Sequence, residues 1–410
     1  MSIKSIKIKA ADRHIAGEVE IPLSKSISNR ALMIHTLSGG RVKFKHLSDA
    51  ADTVLMQKLL AQINEKKDFI LDAKNSGTVF RFLTAYLAIT EGQWLLKGNK
   101  RMLDRPVGPL VEALQRLGAE ITYAGKAGFP PLHITGKQLE GGSIKVKAEP
   151  SSQFISAMMM IAPLLPSGLE IHLEGKAVST PYLNMTAEMM KTAGINVDMQ
   201  LPIIKIPGRD YGKCTLPEEN DWSAAAFWYE AIALSEKGSI FLPGLKKHLL
   251  QGDSEVANIF RAFGVNTQYS DSGVLITKTG TEVKDIKVDL SQHPDLALPV
   301  IVTAAALGLN SVFTGLASLR IKESDRLAML YTELEKTGVS CKMTNNSLSF
   351  SAQKMHISKA VSTYGDHRMA MAFAPLALLG DPVLINDPEV VSKSYPGFWK
   401  ELQKVLSFKF

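Results

Sequence analysis

Leu114-Gln115-Arg116-Leu117-Gly118-Ala119-Glu120-Ile121 reads as the end of a helix, a glycine, then an alternating strand. The phrase returns as Met190-Lys191-Thr192-Ala193-Gly194-Ile195-Asn196-Val197, as Arg261-Ala262-Phe263-Gly264-Val265-Asn266-Thr267 and as Glu335-Lys336-Thr337-Gly338-Val339-Ser340-Cys341. Gly118, Gly194, Gly264 and Gly338 stand 76, 70 and 74 residues apart. Each falls just past a helix end, where the backbone turns left-handed and glycine does so without a steric penalty. One such phrase is common punctuation; even spacing over four copies points to a repeat. A period near 70 is longer than solenoid repeats and suits a compact α/β unit of several strands and two helices. A chain of 410 residues holds about six of them. Helical stretches with few charges, at 154–165 and 296–307, should be buried with the sheets outside them.

Bulk composition narrows the class. The length suggests two domains. Hydrophobic residues make up 45%, enough for substantial cores. The net charge of +7 suits anionic small substrates but does not select them. Basic residues are dispersed and aromatics are only 7%, which argues against a nucleic-acid-binding module. Cys214 and Cys341 lie far apart in no metal-ligand pattern, and a reducing compartment is expected. Residues 1–20 alternate apolar and polar and lack the apolar core of a signal peptide. The longest apolar run, 296–309, is interrupted by Pro299 and too short to cross a bilayer. A cytoplasmic protein with no membrane association is expected.

Polar clusters recur where helices begin. In Ile21-Pro22-Leu23-Ser24-Lys25-Ser26-Ile27-Ser28-Asn29-Arg30-Ala31-Leu32 a strand runs into a helix that stops at Gly39-Gly40. Lys25 and Ser26 fall where free N–H groups and the positive end of the helix dipole point outward, and Arg30 shares a face with Ser26. That makes a site for a multiply charged anion, most plausibly a phosphate ester; the same residues would also serve as an ordinary cap. Asn75-Ser76-Gly77-Thr78, Arg105-Pro106, Ser151-Ser152-Gln153, Ser179-Thr180-Pro181-Tyr182, Gln251-Gly252-Asp253, Pro294-Asp295 and Gly365-Asp366-His367-Arg368 open other helices. Pro106 is expected at the first helical position. A serine there is usually just a cap. Arginine is different, because it opposes the dipole at about 0.3–1 kcal/mol unless an anion intervenes. Arg30, Arg105 and Arg368 together therefore suggest an anion-binding cleft lined by helix starts.

Two clusters could move protons. Arg320-Ile321-Lys322-Glu323-Ser324-Asp325-Arg326 packs five charges into seven residues, yet Leu327, Met329 and Leu330 follow, so part of it must face inward. A lysine beside a glutamate in a closed cleft can act as acid or base. Asp295 precedes a long apolar helix, and could be a cap or a general base.

Taken in order, Ser24-Lys25-Ser26-Ile27-Ser28-Asn29-Arg30-Ala31-Leu32, Asn75-Ser76-Gly77-Thr78, Asp104-Arg105-Pro106, Ser151-Ser152-Gln153-Phe154, Lys322-Glu323-Ser324-Asp325-Arg326 and Asp366-His367-Arg368-Met369-Ala370 resemble the 5-enolpyruvylshikimate-3-phosphate synthase family over nearly the whole chain. The resemblance implies an α/β fold of two similar domains, each of three inverted α/β repeat units with buried helices and outer sheets. It implies a discontinuous domain of residues 1–21 plus 221–410, a second of residues 22–220, and an active site in the cleft between them. It implies transfer of the enolpyruvyl group of phosphoenolpyruvate to the 5-hydroxyl of shikimate 3-phosphate, the chemistry that glyphosate targets, by a monomer with no cofactor. Shikimate 3-phosphate would meet Lys25, Ser26, Arg30, Ser151, Ser152, Gln153, Ser179, Tyr182, Asp295 and Lys322. Phosphoenolpyruvate would meet Lys25, Gly77, Arg105, Gln153, Arg326, Arg368 and Lys393. Asp295, Glu323, Lys25 and Lys322 would be catalytic: Asp295 takes the hydroxyl proton, while Glu323, with Lys25, protonates the methylene carbon.

The chain departs from that pattern at Lys74, where glycine is usual, at Phe82, where proline or leucine is common, and at Asn220, where glycine is usual. Residues 54–75 form a shortened segment. The enolpyruvyl transferase acting on UDP-N-acetylglucosamine shares the fold, but has Lys-Asn where this chain has Lys25-Ser26 and carries a cysteine on a mobile loop. A catalytically dead relative is disfavoured because Asp295, Lys322 and Glu323 are all present.

Overall fold

The computed structural model describes residues 5–65, 69–148, 151–247, 250–280, 283 and 285–406. The first four residues of the alternating stretch 1–20 lie outside these. Four copies of one sheet underlie the glycine phrase. In each, two strands pair in parallel and a hairpin adds antiparallel to the second, giving the order first, second, fourth, third. One sheet comprises Ile70–Asp72, Gly92–Lys97, Glu120–Tyr123 and Leu132–Gly136. Another comprises Gly142–Lys147, Leu169–Glu174, Asp198–Gln200 and Ile203–Ile206. His14–Glu18 joins Lys237–Pro243, Val265–Tyr269 and Gly273–Lys278 in a third. Ile286–Asp289, Ser311–Thr314, Cys341–Met343 and Ser347–Phe350 make the fourth.

The four phrase glycines have φ of +94°, +85°, +74° and +84° in chain order. After three of them the next N–H reaches back over the helix end: Ala119 to Leu114 O, Ile195 to Met190 O and Val339 to Leu334 O. Those bonds satisfy carbonyls the last helical turn leaves open. Two smaller sheets complete the set, Val42–Lys43 parallel to Cys214–Thr215, and Ser5–Ile8 antiparallel to Val383–Asn386. Among the described residues six groups of strands are therefore present, four full and two trimmed.

The chain divides into two compact units, Lys25–Glu218 and the combination of Met1–Ser24 with Glu219–Phe410. Three helices pack on one another within each. In the first unit these are Lys25–Leu37, Gly77–Ala88 and Ser152–Ile161; in the second, Trp222–Leu234, Ala297–Ala306 and His367–Phe373. Only Gln153 of Ser152–Ile161 and only Ser223 of Trp222–Leu234 escape burial, both in the first turn. Apolar residues on every face leave such helices nowhere to sit but inside.

Three local expectations change. The strand before Lys25 ends at Glu18, with Val19 N–H still donating to Phe241 O at 3.0 Å; beyond it Ile21 stays buried next to exposed Glu20 without continuing the strand. Instead, the departing and returning segments bind each other: Ser24 N–H to Glu219 O and Asp221 N–H to Pro22 O, both at 2.8 Å. Pro106 does not open its helix. Val107 and Gly108 N–H both donate to Gly128 O, and the helix starts at Gly108 with Pro109 second. Of the three arginines read as opposing a dipole, only Arg368 lies in a first turn. Arg30 is the sixth residue of its helix, and Arg105 precedes its own in extended backbone.

Candidate active site

The unit Lys25–Glu218 holds Lys25, Ser26, Arg30, Gly77, Arg105, Ser151, Ser152, Gln153, Ser179 and Tyr182. Lys25 is the first residue of its helix, and its Nζ lies 3.3 Å from Asp52, a buried carboxylate in the first turn of Ala51–Asn64. Arg30, 2% exposed, ties three helices together. Its Nε donates to Thr186 Oγ1 at 2.7 Å, Nη2 to Ser156 Oγ and Tyr182 O, and Nη1 to Ser26 O. The Phe82 ring lies 5.5 Å from its guanidinium carbon. Among the described residues no carboxylate pairs with Arg30, and burial pushes its pKa down to about 10. A buried cation among neutral partners favours an arriving anion.

Gly77 opens its helix under two guanidiniums. A Cβ there would come within 2.6 Å of Arg105 Cζ and 2.7 Å of Arg81 Nη1. Arg105 is buried and donates to Asn75 O at 3.1 Å. Arg81 donates to Gln153 Oε1 at 2.6 Å and lies over the Phe154 ring. Gln153 passes the connection on, its Nε2 donating to Thr78 Oγ1 at 2.9 Å. Ser151 caps Ser152–Ile161 by accepting Gln153 N–H, and Ser152 is buried beside it. Ser179 stands at the start of Thr180–Thr192 in left-handed backbone, φ +55°, and its hydroxyl does not cap the helix. Tyr182 is two residues into that helix and half-buried.

The other unit holds Asp295, Lys322, Glu323, Arg326, Arg368 and Lys393. Asp295 lies in the turn Pro294–Leu296 that leads into Ala297–Ala306. Its Oδ2 is 3.0 Å from Arg368 Nη2; its Oδ1 is 3.2 Å from Arg326 Nη1 and 3.7 Å from Lys322 Nζ. Burial pulls its pKa upward, but Arg368, Lys322 and Arg326 outweigh burial and hold it well below the usual carboxylate range. Arg326, 1% exposed, is the hub. Besides Asp295 it donates from Nε to Asp366 Oδ2 and from Nη2 to Glu323 Oε2, both at 2.7 Å. Burial lowers its proton affinity, but Asp366, Glu323 and Asp295 more than reverse that. Asp366 caps His367–Phe373 through Arg368 N–H at 3.0 Å, and Ser324 donates to it. Lys393 is buried on the turn Pro388–Lys393, which packs against His367–Phe373. The charged run thus divides: Arg320 and Asp325 pair with each other at 3.0 Å, while Glu323 and Arg326 turn inward.

Three residues in contact with these side chains escaped the sequence reading. Asp52 had only the signal of an acid in a first helical turn. Arg81 lies four residues after Gly77, one turn along the same face. Asp366 was seen as a helix opener, but not as the partner of Arg326. The departures have local explanations. Lys74 adopts φ +52°, the conformation for which glycine is the easy choice. Asn220 uses its side chain to bind Ile21 O at 2.7 Å.

Three carboxylates and three cations in contact can exchange protons and hold an anion, while buried guanidiniums and hydroxyls at helix starts in the other unit can hold a phosphate ester. Among the described residues no group of His, Cys, Asp or Glu is arranged to hold a metal ion, and no helix is long and apolar enough to cross a membrane.

Comparison with known proteins adds names to this geometry. The family model for EPSP synthase (3-phosphoshikimate 1-carboxyvinyltransferase) matches residues 9–69 and 59–402. A 3-phosphoshikimate 1-carboxyvinyltransferase of Bacteroides fragilis is 44% identical over 399 residues, covering 96% of each chain. One from a Shewanella species is 33% identical, covering 94% of this chain and 96% of its own. Among solved structures, an EPSP synthase from Acinetobacter baumannii superposes with a TM-score of 0.75 at 21% identity, covering 98% of both chains; that likeness speaks to the fold.

Proposed function

The chain belongs to the EPSP synthase (3-phosphoshikimate 1-carboxyvinyltransferase) family, and on that premise we propose that it transfers the enolpyruvyl group of phosphoenolpyruvate to the 5-hydroxyl of shikimate 3-phosphate, releasing phosphate. One observation carries the chemical part: a half-buried carboxylate, Asp295, held by Arg326, Arg368 and Lys322, with Glu323 on the same arginine.

The reaction is an addition followed by an elimination. The methylene carbon of phosphoenolpyruvate gains a proton and becomes a methyl group, leaving the adjacent carbon electrophilic. The sugar hydroxyl loses its proton and its oxygen bonds to that carbon, giving a tetrahedral intermediate. The carbon–oxygen bond to phosphate then breaks, and the methyl group returns a proton. Glu323, together with Lys25, supplies the first proton; Asp295 takes the hydroxyl's. Asp295 held by three cations is a weak base. The anionic groups of phosphoenolpyruvate compete for Arg326 and Arg368, and each contact surrendered raises the carboxylate's proton affinity. The base is thereby activated when the second substrate is present.

On this reading Ser26, Arg30, Ser151, Ser152, Gln153, Ser179 and Tyr182 hold shikimate 3-phosphate, along with Lys25, Asp295 and Lys322. Gly77, Arg105, Arg326, Arg368 and Lys393 hold phosphoenolpyruvate, along with Lys25 and Gln153. The activity requires residues of both clusters to reach one pair of substrates. All of them lie on one chain, so the working form we propose is a monomer in the cytoplasm. The test is phosphate release. It should require both shikimate 3-phosphate and phosphoenolpyruvate, and UDP-N-acetylglucosamine should not replace the former. Release with the UDP-sugar, or none with the proposed pair, would overturn the assignment.

A further inference from the structure

The machinery above leaves one turn unexplained. Asp366 N–H donates to Thr363 O at 2.9 Å, and the two residues between have positive φ, +54° at Tyr364 and +71° at Gly365. This is the backbone pattern of a type I′ turn, for which Asn-Gly is the favoured pair. Gly365 fits. Tyr364 does not, because a bulky side chain is strained in left-handed backbone.

A second grip offsets that strain. Tyr364 OH donates to Glu333 Oε1 at 2.5 Å. Lys336 Nζ reaches the same oxygen at 2.6 Å and lies 5.9 Å from the centre of the Tyr364 ring. Glu333 is 1% exposed, so its carboxylate depends on these partners. Partial burial and the adjacent Glu333 push the phenol's pKa up to about 12, which keeps it a proton donor. Glu333 lies two turns after Arg326 on the helix Arg326–Lys336. One helix therefore holds the turn at both ends, Arg326 gripping Asp366 and Glu333 gripping Tyr364.

We propose that Tyr364 is a positioning residue: its bond to Glu333 keeps a strained turn in the conformation in which Asp366 binds Arg326 and caps the helix that begins with His367 and Arg368. The two arginines that compete for Asp295 are thereby aimed from a fixed base. This rests on the function proposed above, because phosphoenolpyruvate is taken to be what those arginines hold.

Two substitutions separate strain from lock. Tyr364→Phe keeps the strain and removes the lock. Tyr364→Asn removes both, since asparagine accepts positive φ readily. Steady-state kinetics with each substrate varied, alongside a thermal melt, give the readout. Tyr364→Phe should raise KM for phosphoenolpyruvate about tenfold, the scale of one hydrogen bond to a charged group, and leave KM for shikimate 3-phosphate within about twofold. Tyr364→Asn should stay within about threefold of wild type for both. An unchanged KM in Tyr364→Phe, a parallel rise for both substrates, or a Tyr364→Asn as impaired as Tyr364→Phe would overturn the proposal. Should Tyr364→Phe not fold, Tyr364→Asn decides alone: near-wild-type KM supports the proposal, and a tenfold rise for phosphoenolpyruvate overturns it. The wild type is assayed first; its inactivity would remove the proposed function itself, a failure distinct from any pattern among the variants.

Discussion

At Gly77 a missing side chain matters as much as any present one. The helix start can approach the Arg105 and Arg81 guanidiniums only because no Cβ intervenes. Gly77→Ala must push Arg105 aside. It should lower kcat/KM for phosphoenolpyruvate roughly 10–100-fold, the effect of an ångström-scale misplacement, with KM for shikimate 3-phosphate little changed. Initial rates with each substrate varied would show this, and an unaltered phosphoenolpyruvate KM would contradict the role given to Arg105. Asp295→Asn keeps the shape and removes the base. Turnover should fall by about 10²–10⁴-fold, while calorimetry finds shikimate 3-phosphate binding within about threefold of wild type. Normal turnover would contradict the assignment of Asp295. Such residues were legible because Lys25, Ser152, Asp295 and Arg368 sit at helix starts, which local signals mark. Their partners were not. Arg326 finds Asp366 forty residues away and Arg81 finds Gln153 seventy-two away, and nothing local announces either meeting.

Among elements, the glycine phrase was the most readable feature, because a helix stop in left-handed backbone is a local event with one preferred residue. Helix starts were less so: Pro106 resembled a first residue until two N–H groups found the carbonyl of Gly128. The helix Trp222–Leu234 holds a further surprise. Glu230 is fully buried there, and neither carboxyl oxygen has a partner among the described residues. Burial pushes its pKa well above 4.5. The folded protein therefore holds the Glu230 proton to higher pH than the unfolded chain, which ionises it as pH rises past about 4.5, so its penalty grows toward neutral pH. Glu230→Met should stabilise the protein by roughly 1–3 kcal/mol at pH 8 and by less at pH 5. Unfolding titrations at the two pH values would show the difference. A gain equal at both, or a loss, would contradict the neutral buried acid.

At the scale of the whole molecule, the two compact units hold different side chains: Lys25, buried guanidiniums and helix-start hydroxyls in one, carboxylates interleaved with cations in the other. Motif order along the chain was enough to recognise the family. Among the described residues two of the six groups of strands lack the glycine phrase and keep only two strands each, which the even spacing of the phrase did not show. Both clusters are proposed to serve one addition–elimination. The most direct test is to run the reaction in D2O and weigh the product. A methylene that becomes a methyl and then a methylene again must exchange hydrogen with the acid and base groups, and through them with solvent. Deuterium is expected in the methylene group of the enolpyruvyl product. A product whose methylene carries none would contradict a methyl group that turns freely between gaining one proton and losing another.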